Sequence, residues 1–274
     1  MQLFETWTGP DFLAFYSVLL VTCVALGFWI TANLRPEGRK ASLDDPEEIA
    51  LLSGGPQRHA LAVLADLYAQ GAIDKANKAK VCVMRNRAHT SSAGGAVLRK
   101  VGDFSLSETM RTLRDHAREI ENGLIKRGLM MRRDEALKLR LYSALPFLAL
   151  FALGLYRQQA GEELGEPTGF LIALLLLTAV LGIVRFTTGN ARTQAGNLVL
   201  KNWRARSSRL KRAPQGDEVP LAVGLFGTAV LAGTPFAHVH AMKQAASGGD
   251  GGTGTGDGDG DGGGCGGGCG GCGG

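Results

Sequence analysis

Catalytic signatures are what this sequence most clearly lacks. It has no G-x-S-x-G turn, no P-loop and no H-E-x-x-H helix, so the common serine-hydrolase, nucleotide-hydrolase and zinc-peptidase chemistries have no local carrier. His59, His89 and His116 stand apart and read as surface or capping residues rather than general bases. An enzyme whose site forms only in space, beside a membrane face, stays open as an alternative. Basic residues are absent from 1–11, which hold Glu5 and Asp11. Without a basic n-region or a small-residue cleavage site, the apolar run that follows reads as a retained anchor and not a cleaved signal peptide. A nucleic-acid footprint is missing too. Residues 35–140 carry 20 basic against 14 acidic side chains with no basic stripe, so no nucleic-acid partner is expected.

Long uncharged runs are what the sequence does have. Phe12–Leu34 is 23 residues without a charge, with Phe12, Phe15 and Tyr16 at one end and Phe28 and Trp29 at the other, as an aromatic belt requires. Leu141–Tyr156 and Thr168–Val184 are two more, of 16 and 17 residues. They are slightly short of the ~20 that a core about 30 Å thick demands. Arg140, Arg157 and Arg185 at their ends are expected to snorkel and extend them. Neither run has the polar face of a buried core helix. Pro146 is expected near the start of its span, where a missing N–H costs little. We therefore expect transmembrane helices over 12–34, 139–156 and 168–184, and a lipid bilayer as the first partner.

Charge sets the expected orientation. The loop 157–167 has one basic residue against Glu162, Glu163 and Glu166, whereas 185–218 has eight against Asp217 and Glu218. Lys and Arg stay on the cytoplasmic side. Residues 1–11 and the loop 157–167 are then external, and 43–138 and 185–218 are cytosolic.

Residues 43–138 form the one candidate globular domain. Asp45-Pro46 with Glu47 and Glu48 is a helix start, a carboxylate cap followed by proline at the first turn. Ser53-Gly54-Gly55-Pro56 breaks that helix and restarts it. Leu61, Leu64, Leu67 and Tyr68 make a helical stripe that Gly71 ends. Lys80–Met84 is a strand, with Val97–Val101 expected to return beside it. Ser105-x-x-Glu108 is a capping box opening a helix to about Asn122. Asp134 is expected to cap a helix that continues into the membrane. LYAQGAI (67–73) and LIKRGLM (124–130) share a leucine, a glycine four residues on, and an aliphatic two residues later. Two helices, a tight turn and a hairpin are the parts of a winged helix, a shape that does not imply DNA binding. On the helix Pro56–Gln70 only Gln57, Arg58 and His59 could meet a phosphate, and Asp66 would repel it.

Residues 219–242 are apolar but hold glycines, prolines and a histidine. They read as a cytosolic or interfacial helix packing on the domain, with a third membrane crossing as the alternative. Residues 247–274 contain 18 glycines and no apolar side chain larger than threonine or cysteine, so nothing offsets the ordering entropy and the tail is expected to be disordered. Its Cys265, Cys269 and Cys272 are the one suggestive cluster. They suit Zn²⁺ or Cu(I), but a structural zinc site takes four ligands, and His238 and His240 are distant donors. A redox handle or cross-linking between copies are the other readings, set by the compartment the thiols occupy. Cys23 and Cys82 read as packing residues. Asp257-x-Asp259-x-Asp261-Gly262 matches half an EF-hand loop, but Gly268 stands where the bidentate glutamate belongs.

The helix LDDPEEIALLSGGPQRHALAVLADLYAQGAID, the segments LIKRGLM and EALKLRLYSALPFLALFALGL, the PTGFLIALLLLT span, PLAVGLFGTAVLAG and the Gly/Cys tail resemble a family of uncharacterised bacterial membrane proteins. Its members share a Gly-Gly-Pro helix motif, a membrane hairpin and a low-complexity C-terminus. The resemblance runs from Leu43 to the tail. It implies a bacterial inner-membrane setting and brings no activity and no site residues. The fold expected is a mainly α membrane protein: an N-terminal anchor helix, a small α+β, winged-helix-like cytosolic domain, a transmembrane helical hairpin and a disordered Gly/Cys tail. The role expected is a non-enzymatic scaffold or interaction protein with a protein partner or self-association. Metal handling by the tail is the alternative.

Overall fold

A computed structural model describes residues 9–39, 41–77, 79–84, 91–163, 169–212 and 214–248. The chain is mainly helical, and three of its helices are long and apolar enough to cross a membrane. They are α1 (Gly9–Asn33), α6 (Arg133–Glu163) and α7 (Gly169–Thr187). Helix α6 starts two turns before the uncharged run and has 31 residues, about 46 Å at 1.5 Å per residue. Pro146 therefore lies well inside a helix that continues past it, not near its start. The charged turn 133–140 shares the helix because Glu135 accepts a hydrogen bond from the Arg132 N–H at 3.1 Å and caps it. Glu135 does this, and not Asp134.

Apolar side chains point outward along these helices. Val18, Val21, Phe28, Leu148, Phe170, Leu176 and Ile183 are exposed, while the polar atoms turn inward or onto their own helix. Ser17, Thr22 and Thr31 donate to the carbonyls of Leu13, Val18 and Gly27 four residues back. A hydroxyl satisfied in this way needs no water, as a hydrocarbon surrounding requires. Inside the bundle Phe12, Tyr16, Leu20, Phe147, Leu150, Leu171 and Leu175 pack together. Gly154 permits this: a Cβ there would lie 2.7 Å from Leu175 Cδ2 and 2.9 Å from Tyr16 Cε2.

The three arginines expected to snorkel reach sideways to other parts of the bundle. Arg140 donates to the Gly189 carbonyl at 2.6 Å, and Arg185 donates to the Gly27 carbonyl at 2.7 Å with its guanidinium 5.3 Å from the Phe28 ring. Arg157 is buried, with its guanidinium 5.7 Å from the Phe12 ring.

The remaining elements form one body around α2 (Pro46–Ala69), which holds no membrane-length apolar helix among the described residues. Asp45 caps it by accepting from the Glu47 N–H at 2.9 Å. The break falls at Gly54 and Gly55. Gly55 has φ +70° and ψ −163°, a conformation closed to side chains, and Pro56 restarts the helix with its fixed φ. After α2 come β1 (Ile73–Asn77), β2 (Lys80–Val83), α3 (Ser92–Leu98), β3 (Phe104–Ser105), α4 (Leu106–Thr112) and α5 (Arg114–Lys126). The sheet is antiparallel, in the order β1-β2-β3, with Ile73 opposite Val83 and Val81 opposite Phe104.

The return strand expected at Val97–Val101 is instead the end of α3 and the turn after it. Ser91 accepts from the Gly94 N–H and starts a helix whose Ala93, Val97 and Leu98 are buried at helical spacing, while Val101 is 99 % exposed. The sheet is present and Lys80–Met84 supplies its central strand as expected, but Val97–Val101 is not the strand beside it. The capping box at Ser105 and Glu108 has both of its reciprocal bonds. The repeated heptapeptide is one helix-ending motif used twice. Gly71 and Gly128 take φ +65° and +74°, and the next N–H in each case, Ala72 or Leu129, donates to the carbonyl of Leu67 or Leu124 at 2.9 Å.

Past the last long helix come α8 (Gln194–Arg206), α9 (Val219–Phe226) and α10 (Ala237–Gly248). The single helix expected over 219–242 is three short pieces, because Gly227 and Gly233, both near φ +79°, break it. None is of membrane length. Val219, Val223, Leu231, Val239 and Met242 complete a core with Leu61, Leu64, Ile73, Val81 and Phe104. Gly224 lets α9 lie against α2, since a Cβ there would be 3.2 Å from Ala50 Cβ. A second core joins Leu43, Ile49, Leu52, Leu124, Leu129, Leu200 and Leu225.

Candidate functional site

A buried polar cluster lies at the break of α2, in the Gly-Gly-Pro motif. Ser53 is buried at the last residue before the glycines. Its hydroxyl accepts from Arg58 at 3.0 Å and from Arg204 at 3.5 Å, and its carbonyl accepts from Arg192. Arg204 also donates to the Leu225 carbonyl at 3.2 Å. Three guanidinium groups from α2, from the turn before α8 and from α8 itself thus converge on one residue. Gly227 admits Arg58: a Cβ there would stand 3.3 Å from its Nη2. Chemically the cluster is donor-rich and saturates backbone carbonyls left open where the helix breaks.

One turn away, His59 is 0 % exposed and its Nε2 lies 3.0 Å from Glu47 Oε2. With a carboxylate as partner, Nε2 is assigned as the donor. The other ring nitrogen has no partner among the described residues. Burial raises the Glu47 carboxyl, but hydrogen bonds from His59 and Ser91 and the charge of His59 and His116 outweigh it, so it titrates below the ordinary glutamate value. The Ser91 hydroxyl meets the carboxylate and not the imidazole. A nucleophilic serine needs the imidazole between itself and the acid, so this order joins α2 to the cap of α3 and activates no hydroxyl.

Cys265, Cys269 and Cys272 lie outside the described residues, as do Asp257, Asp259, Asp261 and His89. The two histidines considered as distant donors are tied into the fold. His238 Nε2 is 3.1 Å from the Lys80 carbonyl and its ring stacks on Tyr68, while His240 Nδ1 is 3.0 Å from Thr228 Oγ1. Among the described residues no group of three or more His, Cys, Asp or Glu side chains is placed to hold a metal. Cys82 and Cys23 contact the carbonyls of Asp74 and Pro146. On the helix Pro56–Gln70, Arg58 and His59 point into the protein and present no surface to a phosphate backbone.

Sequence reasoning missed Arg192 and Arg204. Both belong to the basic stretch 185–218, whose charge points in sequence only to topology. The signal that could separate them is slight: each adjoins a residue suited to burial, Thr193 or Trp203, which are buried and half-buried. Compared with known proteins, the chain matches no family model, no curated protein and no solved structure.

Proposed function

We infer that the chain is a non-enzymatic membrane scaffold of the bacterial inner membrane. In this reading α1, α6 and α7 anchor it, its N-terminus is outside, and the soluble body lies in the cytoplasm. The Gly/Cys tail leaves from that body to reach a protein partner or a second copy. One observation carries most weight: residues 219–242 are built into the same core as α2. The stretch that leads to the tail therefore starts on the side of the membrane where the soluble body lies. The excess of arginine and lysine in 185–218 favours the cytoplasm as that side.

Reporter fusions after Gly169, Arg192 and Gly248 test the topology. The expected result is an external reporter after 169 and internal reporters after 192 and 248. An external reporter after 248 would overturn it. Serine at Cys265, Cys269 and Cys272 is expected to abolish diamide-induced adducts of the full chain, and adducts that persist would remove the partner role of the thiols. The second reading, metal handling, is supported by three thiols within eight residues. Titration of the full chain with Zn²⁺ under reducing conditions separates the two, because micromolar or weaker affinity ends it.

A further inference from the structure

Three arginines gather at one end of the bundle. Arg140 is on α6, Arg185 near the end of α7, and Arg35 two residues past α1. Arg140 and Arg185 each use one N–H on a carbonyl, of Gly189 and Gly27. Their Nε atoms are buried and have no hydrogen-bond partner among the described residues. Burial and the nearby Arg185 pull the Arg35 guanidinium below its usual value. No carboxylate of the described residues pairs with any of the three. A guanidinium has five donors, so most of this donor capacity is unspent at the end of the bundle.

A groove of about 340 Å³ starts beside them and runs between α6 and α7. Leu141, Phe147, Leu148, Phe151, Gly182 and Phe186 line it, and its one hydroxyl, on Thr178, is already bonded to Tyr16 and to the Leu174 carbonyl. Arg140, Ala144, Phe147 and Phe151 follow one another on one face of α6, and Phe186 is next to Arg185. From Leu141 to Phe151 the groove rises about 15 Å at ~1.5 Å per residue. That is half of a hydrocarbon core about 30 Å thick, the depth of one leaflet.

We propose that this end of the bundle is a binding site for an anionic phospholipid, its phosphate held by Arg140 and Arg185 with Arg35 beside them and one acyl chain in the groove between α6 and α7. Charge complementarity selects the head, and the apolar lining selects the tail. A free phosphate would satisfy the arginines and leave the groove unexplained. A packed protein helix would fill the groove and leave the cations unmatched. The site rests on the membrane part of the function inferred above and is independent of the tail.

The test uses the full chain in mild detergent, with native mass spectrometry counting bound phosphatidylglycerol and phosphatidylcholine at equal concentration. Phosphatidylglycerol is expected to be retained over phosphatidylcholine by about fivefold for each arginine engaged. Arg140→Gln with Arg185→Gln is expected to erase that preference, each glutamine keeping a donor for its carbonyl. Ala179 also lines the groove, so Ala179→Leu fills it without changing the arginines and is expected to lower retention of both lipids; it decides the matter if the arginine variant does not fold. Inorganic phosphate is expected not to compete. Equal retention of the two lipids overturns the proposal, as does full competition by phosphate with no effect of Ala179→Leu, which would mark a free-anion site only. Release of the chain by alkaline carbonate would instead sink the membrane reading itself, so the two failures are distinguishable.

Discussion

The Tyr16 hydroxyl and the Thr178 hydroxyl lie 3.1 Å apart, joining α1 to α7 in the middle of the bundle. The Thr178 hydroxyl donates to the Leu174 carbonyl at 2.8 Å and so accepts from Tyr16, and it keeps its own acceptor when Tyr16 is changed. Tyr16→Phe is thus expected to cost only about 0.6 kcal/mol, the usual size of an interhelical hydrogen bond in lipid. Gly154→Leu, which forces atoms into Tyr16 and Leu175, is expected to cost more, about 1–3 kcal/mol. Thermal unfolding in detergent ranks the two. The reverse order would mean that the hydroxyl pair, and not close approach at Gly154, holds α1 in place.

Gly55 offers a cleaner backbone test. No atom lies within 4 Å of where its Cβ would be, so Gly55→Ala meets no clash, only the φ of +70° with ψ −163°. The expected loss is about 1–3 kcal/mol. Gly95→Ala, inside α3 with equally open space, is expected to be neutral or to stabilise by about 0.4–1 kcal/mol. Denaturant unfolding of the two variants gives the comparison, and equal effects would remove the special role of the break.

Acid should loosen the soluble body through Glu47. Its folded value lies below the ordinary glutamate value of about 4.5, so the unfolded chain binds the proton more tightly. The stabilisation is complete above about pH 4.5 and is lost as pH falls through the lower, folded value. Asp45 and Asp66 act with the opposite sign, because burial raises both above 3.8 and their cost is relieved as pH falls. Glu47→Gln is therefore expected to reduce the loss on acidification, with the Glu108 carboxyl, lowered chiefly by the Ser105 N–H it accepts from, contributing to what remains. Unfolding midpoints measured from about pH 3 to 7 decide it.

Gly224→Val would push α9 away from Ala50 and overfill the seam with α2, for about 1–3 kcal/mol. The protease-sensitive consequence is release of α9 and α10. Limited trypsin digestion is expected to cut faster at Arg209, Lys211 and Arg212 in the variant. An unchanged digestion rate would mean that α9 is held from elsewhere.

Much of the architecture is legible in the sequence where one local rule acts alone. Uninterrupted apolar runs give the three long helices, Gly54-Gly55-Pro56 gives the break, and Ser105 with Glu108 gives the cap. The repeat at 67–73 and 124–130 is legible as texture, but its cause, a left-handed glycine closing a helix twice, is a backbone property. The failures lie where distant parts compete. Val97–Val101 has strand composition, yet Ser91 caps a helix there and Ile73–Asn77 takes the place beside Lys80–Val83. The clustering at Ser53 is invisible locally, because Arg192 is 139 residues away from it. An arginine looks the same in sequence whether it faces water or a buried carbonyl.

The order in which the core is assembled has a biosynthetic consequence. Leu61, Leu64 and Ile73 are translated long before Val219, Val223 and Val239, which cover them. Between Met131 and Val219 the ribosome makes both arms of the hairpin, roughly 4–18 s of synthesis at ~5–20 residues per second. Throughout that interval the first half of the soluble body waits with its apolar face uncovered while α6 and α7 are delivered to the lipid. Such an uncovered apolar face is the aggregation-exposed stage of synthesis for a chain of this design.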